Sequence, residues 1–202
     1  MSNELDVRSC ALVLIDYQND FCHLDGAVAQ SGHSVEAGSA IYPQIAELIA
    51  SARAAGVPRI FVRVAHSEWT DTPAWTHRAS GKAIFEVPLV REGTWGAEFF
   101  KIEPQPDELV MTKHRLSAFL YTPLKLVLQA KQVRSVVLAG VQTDVCVRAI
   151  ALDAMQEGFV PVVVEDCVAT RDDAAHDQAL DEIRTRVGHV VKLSDIRSAW
   201  GS

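Results

Sequence analysis

The sequence predicts an α/β fold in which a parallel β-sheet carries helices on both faces. Three observations point there. Residues 11–16, 59–65, 135–141 and 159–166 are short, nearly continuous runs rich in Val, Ile and Leu, the pattern of strands buried on both sides. Stretches with helical spacing lie between them, and strands alternating with helices build parallel sheets. Finally, 49% hydrophobic and 22% charged residues in a 202-residue chain suit one globular domain spanning 1–202, with a single sizeable core.

Taken in order, ALVLID (11–16) is the first strand. Ile41, Ile45, Leu48, Ile49 and Ala52 then repeat at helical spacing, with Pro43 near the start and Gly56 just past the end, where each is tolerated. RIFVRVA (59–65) is the second strand. Residues 66–106 show no helical period and hold Trp69, Trp75 and Trp95, three of the four tryptophans. So long an irregular connection reads as a lid, a binding loop or a subunit interface, or as a surface loop with satellite aromatics. DELVMTK (107–113) is a weaker strand pattern. Leu124, Val127 and Leu128 mark a helix entered near Thr122-Pro123. SVVLAGV (135–141) precedes a helix from about Asp144 to Gln156 that is apolar nearly all round. FVPVVVED (159–166) is followed by a helix from Asp172 to Val187, with His176, Leu180, Ile183 and Val187 on one stripe, and HVVKL (189–193) is the last strand. Internal repeats and low-complexity tracts are absent from the sequence.

Nineteen Lys and Arg against 26 Asp and Glu give a net charge of −7. That argues against a broad nucleic-acid-binding face and against an anionic membrane surface, while leaving room for a small basic site. No apolar run approaches the roughly 18 residues of a membrane span. The N-terminal stretch carries Glu4, Asp6 and Arg8 ahead of the first apolar run and reads as the lead-in to a strand, not a signal peptide, so a cytoplasmic location is expected. Cys10, Cys22, Cys146 and Cys167 show no C-x-x-C spacing, which speaks against a zinc knuckle and for reduced thiols, although one pair could meet in space.

Ligands of open parallel sheets bind beyond the carboxyl ends of the strands, so what each strand delivers there matters most. The first strand delivers Asp16, a carboxylate at the rim of the sheet; taken alone it also fits a helix cap or turn. DELVMTK delivers Lys113, which could pair with Asp16 or be a solvated strand-end lysine. SVVLAGV runs through Gln142-Thr143-Asp144-Val145 into Cys146, in the first turn of the next helix. Unpaired N–H groups and the helix dipole there favour a thiolate and could hold an oxyanion; the alternative is a small hydrophobe packed under the helix. A nucleophile, a proton acceptor and an orienting group are the parts covalent catalysis needs. The sequence contains neither G-x-S-x-G nor G-x-x-x-x-G-K-[ST], and no G-x-G-x-x-G follows a strand.

LVLIDYQNDF (12–21), KHRLSAF (113–119) and AGVQTDVCV (139–147), in that order and separation, resemble the motifs of the isochorismatase-like cysteine hydrolases. The resemblance covers about residues 10–195. It implies a three-layer α/β/α, Rossmann-like fold with a six-stranded parallel sheet. It implies a catalytic triad of Asp16, Lys113 and Cys146, and a cis peptide between Val141 and Gln142 that aims the Gln142 N–H, with that of Cys146, at an oxyanion. The implied activity is cysteine-dependent hydrolysis of small linear amides or ureides through a thioester. The implied partners are a small-molecule substrate and further copies of the chain, as a dimer or tetramer. An isochorismatase-type or other non-amide hydrolase, or a non-catalytic binding member, are the competing readings. Cys146 disfavours the first, since vinyl-ether hydrolysis in the family proceeds without the cysteine, and the intact triad disfavours the last.

Nicotinamidases of this family carry a metal-binding Asp-x-His after the second strand. Here Ala65-His66-Ser67-Glu68-Trp69 follows it; the aspartate is missing, and His66 and His77 have no third ligand at a familiar spacing. Neither a metal nor any other cofactor is expected, which points away from nicotinamide. Arg115, two residues after Lys113, would face the same side of an extended strand and could grip a substrate carboxylate, or be solvated. Phe21, Trp75 and Trp95 are candidate pocket walls, or packing. The resemblance places the 166–170 loop near the site; Cys167 there reads as structural, His176 as a core-edge histidine and Asp20 as a turn residue.

Overall fold

The structure, a computed structural model, describes residues 4–76 and 87–201. Six strands form one sheet: β1 (Cys10–Ile15), β2 (Arg59–Val64), β3 (Leu109–Lys113), β4 (Ser135–Val141), β5 (Val160–Ala169) and β6 (His189–Val191). Their spatial order is β3-β2-β1-β4-β5-β6, and every neighbouring pair is parallel. The five longer α-helices are α1 (Tyr42–Ala54), α2 (Leu124–Ala130), α3 (Arg148–Gln156), α4 (Asp173–Glu182) and α5 (Leu193–Trp200).

The apolar runs explain the layering. Successive side chains of a strand point to opposite faces. Leu12 and Leu14 of β1 join one core with Ile45, Leu48 and Ile49 of α1 and Ile196 and Trp200 of α5. Ala11, Val13 and Ile15 join another with Leu124 and Leu128 of α2, Ile150 of α3 and Leu180 of α4. Every residue of β1 and β4 is buried, because these central strands have helices above and below. The result is the three-layer α/β/α arrangement that the sequence implies.

Three local departures from the sequence reading matter. The segment expected as a loop at 166–170 belongs almost entirely to β5, which continues to Ala169; Val168 and Ala169 pair with Gly140 and Val141 after a register shift near residue 139. The helix expected from Asp144 begins as a π-helical turn, Thr143–Val147, and becomes α-helical only at Arg148. A second π turn, Ile183–Val187, ends the helix expected over 172–187. Neither turn has a sequence signal, since a single π turn is too short to register as a change of apolar period. In the long connection, described residues form a helical turn at Pro73–Thr76, a 3₁₀ turn at Trp95–Ala97 and isolated bridges from His66 to Arg91 and from Phe99 to Gln18; His77 lies outside the described residues. Asp20, expected in a turn, is instead buried and joins two segments: its Oδ1 accepts from Ala27 N–H at 2.9 Å and its Oδ2 from Val90 N–H at 2.6 Å.

The topology fixes where a site can form. From β1 the chain builds outward through β2 and β3, then returns to the other side of β1 for β4. The carboxyl ends of β1 and β4 therefore flank the crevice at which the winding reverses. Gly140 lets them approach. Its φ is +120°, and a Cβ there would lie 2.0 Å from the Ile15 carbonyl oxygen, in the residue before Asp16. Neither strand backbone can yield without breaking the ladder between them. Gly140→Ala is therefore expected to cost roughly 3 kcal/mol or more. Denaturant unfolding measures it; a loss under 1 kcal/mol, with the Asp16 and Cys146 environments intact, would show that the approach is not tight.

Candidate active site

Asp16 follows β1 directly. Its φ of +49° turns the chain sharply away from the sheet, a conformation that aspartate tolerates better than most residues. The carboxylate is buried, and Oδ2 lies 2.7 Å from Lys113 Nζ. Lys113 ends β3, two strands away from β1, and its long side chain crosses the end of β2 to reach Asp16. It is completely buried. Nζ also donates to the Arg115 carbonyl at 2.9 Å and to Cys146 Sγ at 3.4 Å, so the ammonium has three partners for its three protons. The structure thus brings Asp16, Lys113 and Cys146, widely separated in sequence, into one contact at the switch point.

Cys146 sits in the π turn after β4. The Val141–Gln142 peptide is cis. Gln142 O accepts from the N–H groups of Val145 and Val147, both at 3.1 Å, the second of them the wider π register. Thr143, the buried first residue of the turn, is held by a 3.0 Å contact between its Oγ1 and Nδ1 of His176. His176, expected at the core edge, therefore braces this turn.

Electrostatically the three groups are tied together. Burial raises Asp16 above its ordinary value, against the pull of the Lys113 ammonium. Burial also opposes the charge on Lys113, but the Asp16 carboxylate and the Cys146 sulfur outweigh it and hold the lysine protonated. Cys146 borders the cleft on one side and is crowded by protein on the others. That burial pushes it up to about 12, with Lys113 pulling down and Asp16 pushing up. The lowered thiol expected from a helix N-terminus is not found: the turn is not yet α-helical, and burial is the largest influence on the sulfur. The resting sulfur is a thiol with a carboxylate beside it. Cys10, Cys22 and Cys167 are likewise raised by burial, Cys10 to about 11, and all three are free and structural.

A small cleft of about 100 Å³, partly open to solvent, lies over these groups. Asp16, Cys146, Val141 and Gln142 form its reactive end; Phe21, Trp75, Leu89 and Leu116 give it apolar walls; His66 and Arg171 are its other polar lining. Phe21 and Trp75 thus border the cleft, whereas Trp95 does not. Trp95 packs edge-on against His23, 4.9 Å between centroids, and its carbonyl accepts from Asn19 Nδ2. Arg115 is not among the lining residues either. β3 stops at Lys113, so the strand alternation that would aim Arg115 inward ends, and its Nη1 donates to the carbonyls of Thr70 and His114 at 3.1 and 2.6 Å. The guanidinium in the cleft is that of Arg171, just beyond β5, an exposed residue that no motif marks in the sequence. Gln18 escaped sequence reading for a similar reason: a buried amide bonded to Val64 N–H and to the carbonyls of Val64 and Ala97 looks like any loop glutamine. Among the described residues, no group of three or more His, Cys, Asp or Glu side chains is placed to hold a metal ion.

Residues 10–195 match the isochorismatase domain family. The chain belongs to this family. It is 34% identical to a maleamate amidohydrolase of Pseudomonas putida, over 93% of this chain and 85% of that one. It is 28% identical to a ureidoacrylate amidohydrolase of Methylobacterium radiotolerans, over 98% and 81%. Among solved structures, an isochorismatase family protein from Desulfovibrio vulgaris superposes with a TM-score of 0.81 at 31% identity, covering 96% of this chain and all of the other. Nicotinamidase from Bacillus subtilis superposes with a TM-score of 0.78 at 28% identity, over 91% and 99%.

The buried ion pair predicts a specific stability pattern. Lys113→Ala leaves the Asp16 carboxylate buried without its cation and is expected to cost about 3–5 kcal/mol. The double variant Asp16→Asn/Lys113→Met removes both charges and should recover most of that loss. Denaturant unfolding of the three proteins checks it; equal losses in single and double variants would mean that the two charges are not coupled.

Proposed function

We propose that this chain is a cysteine-dependent hydrolase of small linear amides or ureides, acting on non-peptide C–N bonds through a thioester on Cys146. The observation that carries the reading is the three-way contact of Asp16, Lys113 and Cys146 at the reactive end of an otherwise mostly apolar cleft. The amidohydrolase relatives support the same bond class.

The groups present can perform each step. Asp16, raised by burial, takes the proton of the Cys146 thiol. Lys113 remains charged and stabilises the thiolate as it forms. The sulfur attacks the substrate carbonyl, and the oxygen becomes an oxyanion. In this reading the N–H groups of Gln142 and Cys146 receive it, a role supported by the cis peptide between Val141 and Gln142. Collapse expels the amine, or ammonia, which takes the proton from Asp16. Water, deprotonated by Asp16, then attacks the thioester, and the sulfur leaves and is reprotonated. Arg171, at the exposed side of the cleft, is the group that meets a substrate carboxylate. The reading further takes the enzyme as a cytoplasmic homo-oligomer. Among the described residues no helix is long and apolar enough to cross a membrane, and the exposed Leu109 and Val110 of the edge strand β3 support contact with a second copy.

Two outcomes test this. Ammonia release from a panel of small amides and ureides should occur with wild type, and fall at least about 10³-fold with Cys146→Ala. Equal release from both proteins would sink the thioester mechanism. The pH profile of kcat/KM should show an acid limb. Asp16 must be unprotonated to act, and burial raises it, so activity falls as pH drops through a value above the ordinary carboxylate pKa of about 4. A limb at or below 4 would contradict the raised base.

A further inference from the structure

His66 is the polar side chain in the cleft that the reaction leaves unused. It follows β2, whose Val64 pairs with Lys113 of β3, so it stands at the same carboxyl edge of the sheet as the ion pair. The ring is 3% exposed, and neither nitrogen makes a hydrogen bond to the described residues. A buried polar group without a partner is costly, and native proteins rarely leave two on one ring. Nor can the ring swing elsewhere to find one. His66 N–H donates to Val90 O at 2.9 Å and His66 O accepts from Glu92 N–H at 3.0 Å, which fixes the backbone. Trp75 stacks on the ring at 4.6 Å between centroids. The position is built, and its hydrogen-bonding capacity faces a ligand site.

The surroundings set the tautomer. Burial lowers His66 to about 4, so the ring is neutral at physiological pH. Asp71 Oδ1, itself buried and unpartnered among the described residues, lies 3.9 Å from Nδ1, and Arg91 fixes this carboxylate through a 2.7 Å contact to Oδ2. A carboxylate beside Nδ1 favours the proton on that nitrogen, which leaves Nε2 with its lone pair. A lone pair needs an N–H or O–H. A carboxylate, an ether oxygen or a methylene cannot supply it.

We propose that His66 is a specificity-determining residue whose Nε2 accepts a hydrogen bond from a substrate N–H beside the reacting carbonyl, so that the site selects ureides, R–NH–CO–NH₂, over simple amides, R–CH₂–CO–NH₂. The inference rests on the amide and ureide hydrolase reading above and narrows it. In a ureide the carbonyl carries two nitrogens: one leaves as ammonia, and the other keeps an N–H that an apolar wall could not satisfy. His66 supplies the acceptor, and Arg91 and Asp71 act through it as positioning residues.

The test compares such a pair, N-carbamoyl-β-alanine and its methylene analogue glutaramate, in wild type and in His66→Phe and His66→Gln. His66→Phe should lower kcat/KM about 30-fold for the ureide and less than threefold for the methylene amide. His66→Gln, whose Oε1 can serve as acceptor, should restore at least a third of the lost ureide preference. Equal losses on both substrates would reduce His66 to packing and overturn the proposal. Iodoacetamide alkylation of Cys146 is followed in the same preparations. A preserved alkylation rate with the ureide preference unchanged refutes the role of His66 alone; wild type that alkylates but hydrolyses neither compound refutes the hydrolase reading with it. Should His66→Phe fail to fold, the ¹⁵N resonance of Nε2 in Cys146→Ala decides. It should move from its free-acceptor position on adding the ureide and stay in place on adding the amide, and a resonance unmoved by either overturns the proposal.

Discussion

The buried ammonium of Lys113 is the constraint around which the site is arranged. A lysine completely enclosed by protein is stable only with compensating partners. Here they come from three separate parts of the chain: the Asp16 carboxylate after β1, the Arg115 carbonyl after β3, and the Cys146 sulfur after β4. Removing the Asp16 carboxylate leaves the ammonium without its counter-charge in a dry core. The same contact that stabilises the lysine holds the carboxylate and the thiol together, so folding and preorganisation are one event.

Several features are subordinate to that contact. The sheet order sets β1 beside β4 and leaves β3 at the edge, so only a side chain as long as lysine can bridge the distance. Gly140 allows the ends of β1 and β4 to close up. The π turn carries Cys146 under the ammonium. The Asp20 clamp and the Gln18 amide fasten the 87–97 segment to the sheet rim, and Leu89, which lines the cleft, comes with it. The site is thus dry on most sides, which strengthens every charge interaction within it.

Much of this was legible in the sequence, and for identifiable reasons. The strands of a doubly covered sheet announce themselves as apolar runs, and the residue that ends each run is the residue presented to the crevice. That is why Asp16 and Lys113 could be picked out before their contact was known; Cys146 was picked out from the turn that follows the 135–141 run. The long connection was not legible, because its order comes from single buried polar side chains such as Asp20 and Gln18, which have no periodic signature. Arg115 was misplaced because strand alternation was extended past the end of β3. Arg171 has no pattern at all; it reaches the cleft only because β5 runs longer than its apolar core suggests. The thiol of Cys146 was misjudged in sign, since position at a helix start says nothing about how dry the sulfur is.

The central claim is that Asp16 makes the Cys146 nucleophile within a site that otherwise keeps it protonated. The pH dependence of Cys146 alkylation by iodoacetamide, in wild type and in Asp16→Asn, tests it most directly. In wild type, alkylation should be appreciable at neutral pH, far below the value of about 12 to which burial pushes the thiol. In Asp16→Asn no carboxylate remains to take the proton, so the neutral rate should fall sharply. Reactivity should return as pH climbs toward the thiol's own ionisation, which lies below about 12 because the Asp16 charge that pushed it up is gone while Lys113 still pulls it down. Identical profiles for the two proteins would contradict the account, because the carboxylate would then have no part in generating the thiolate.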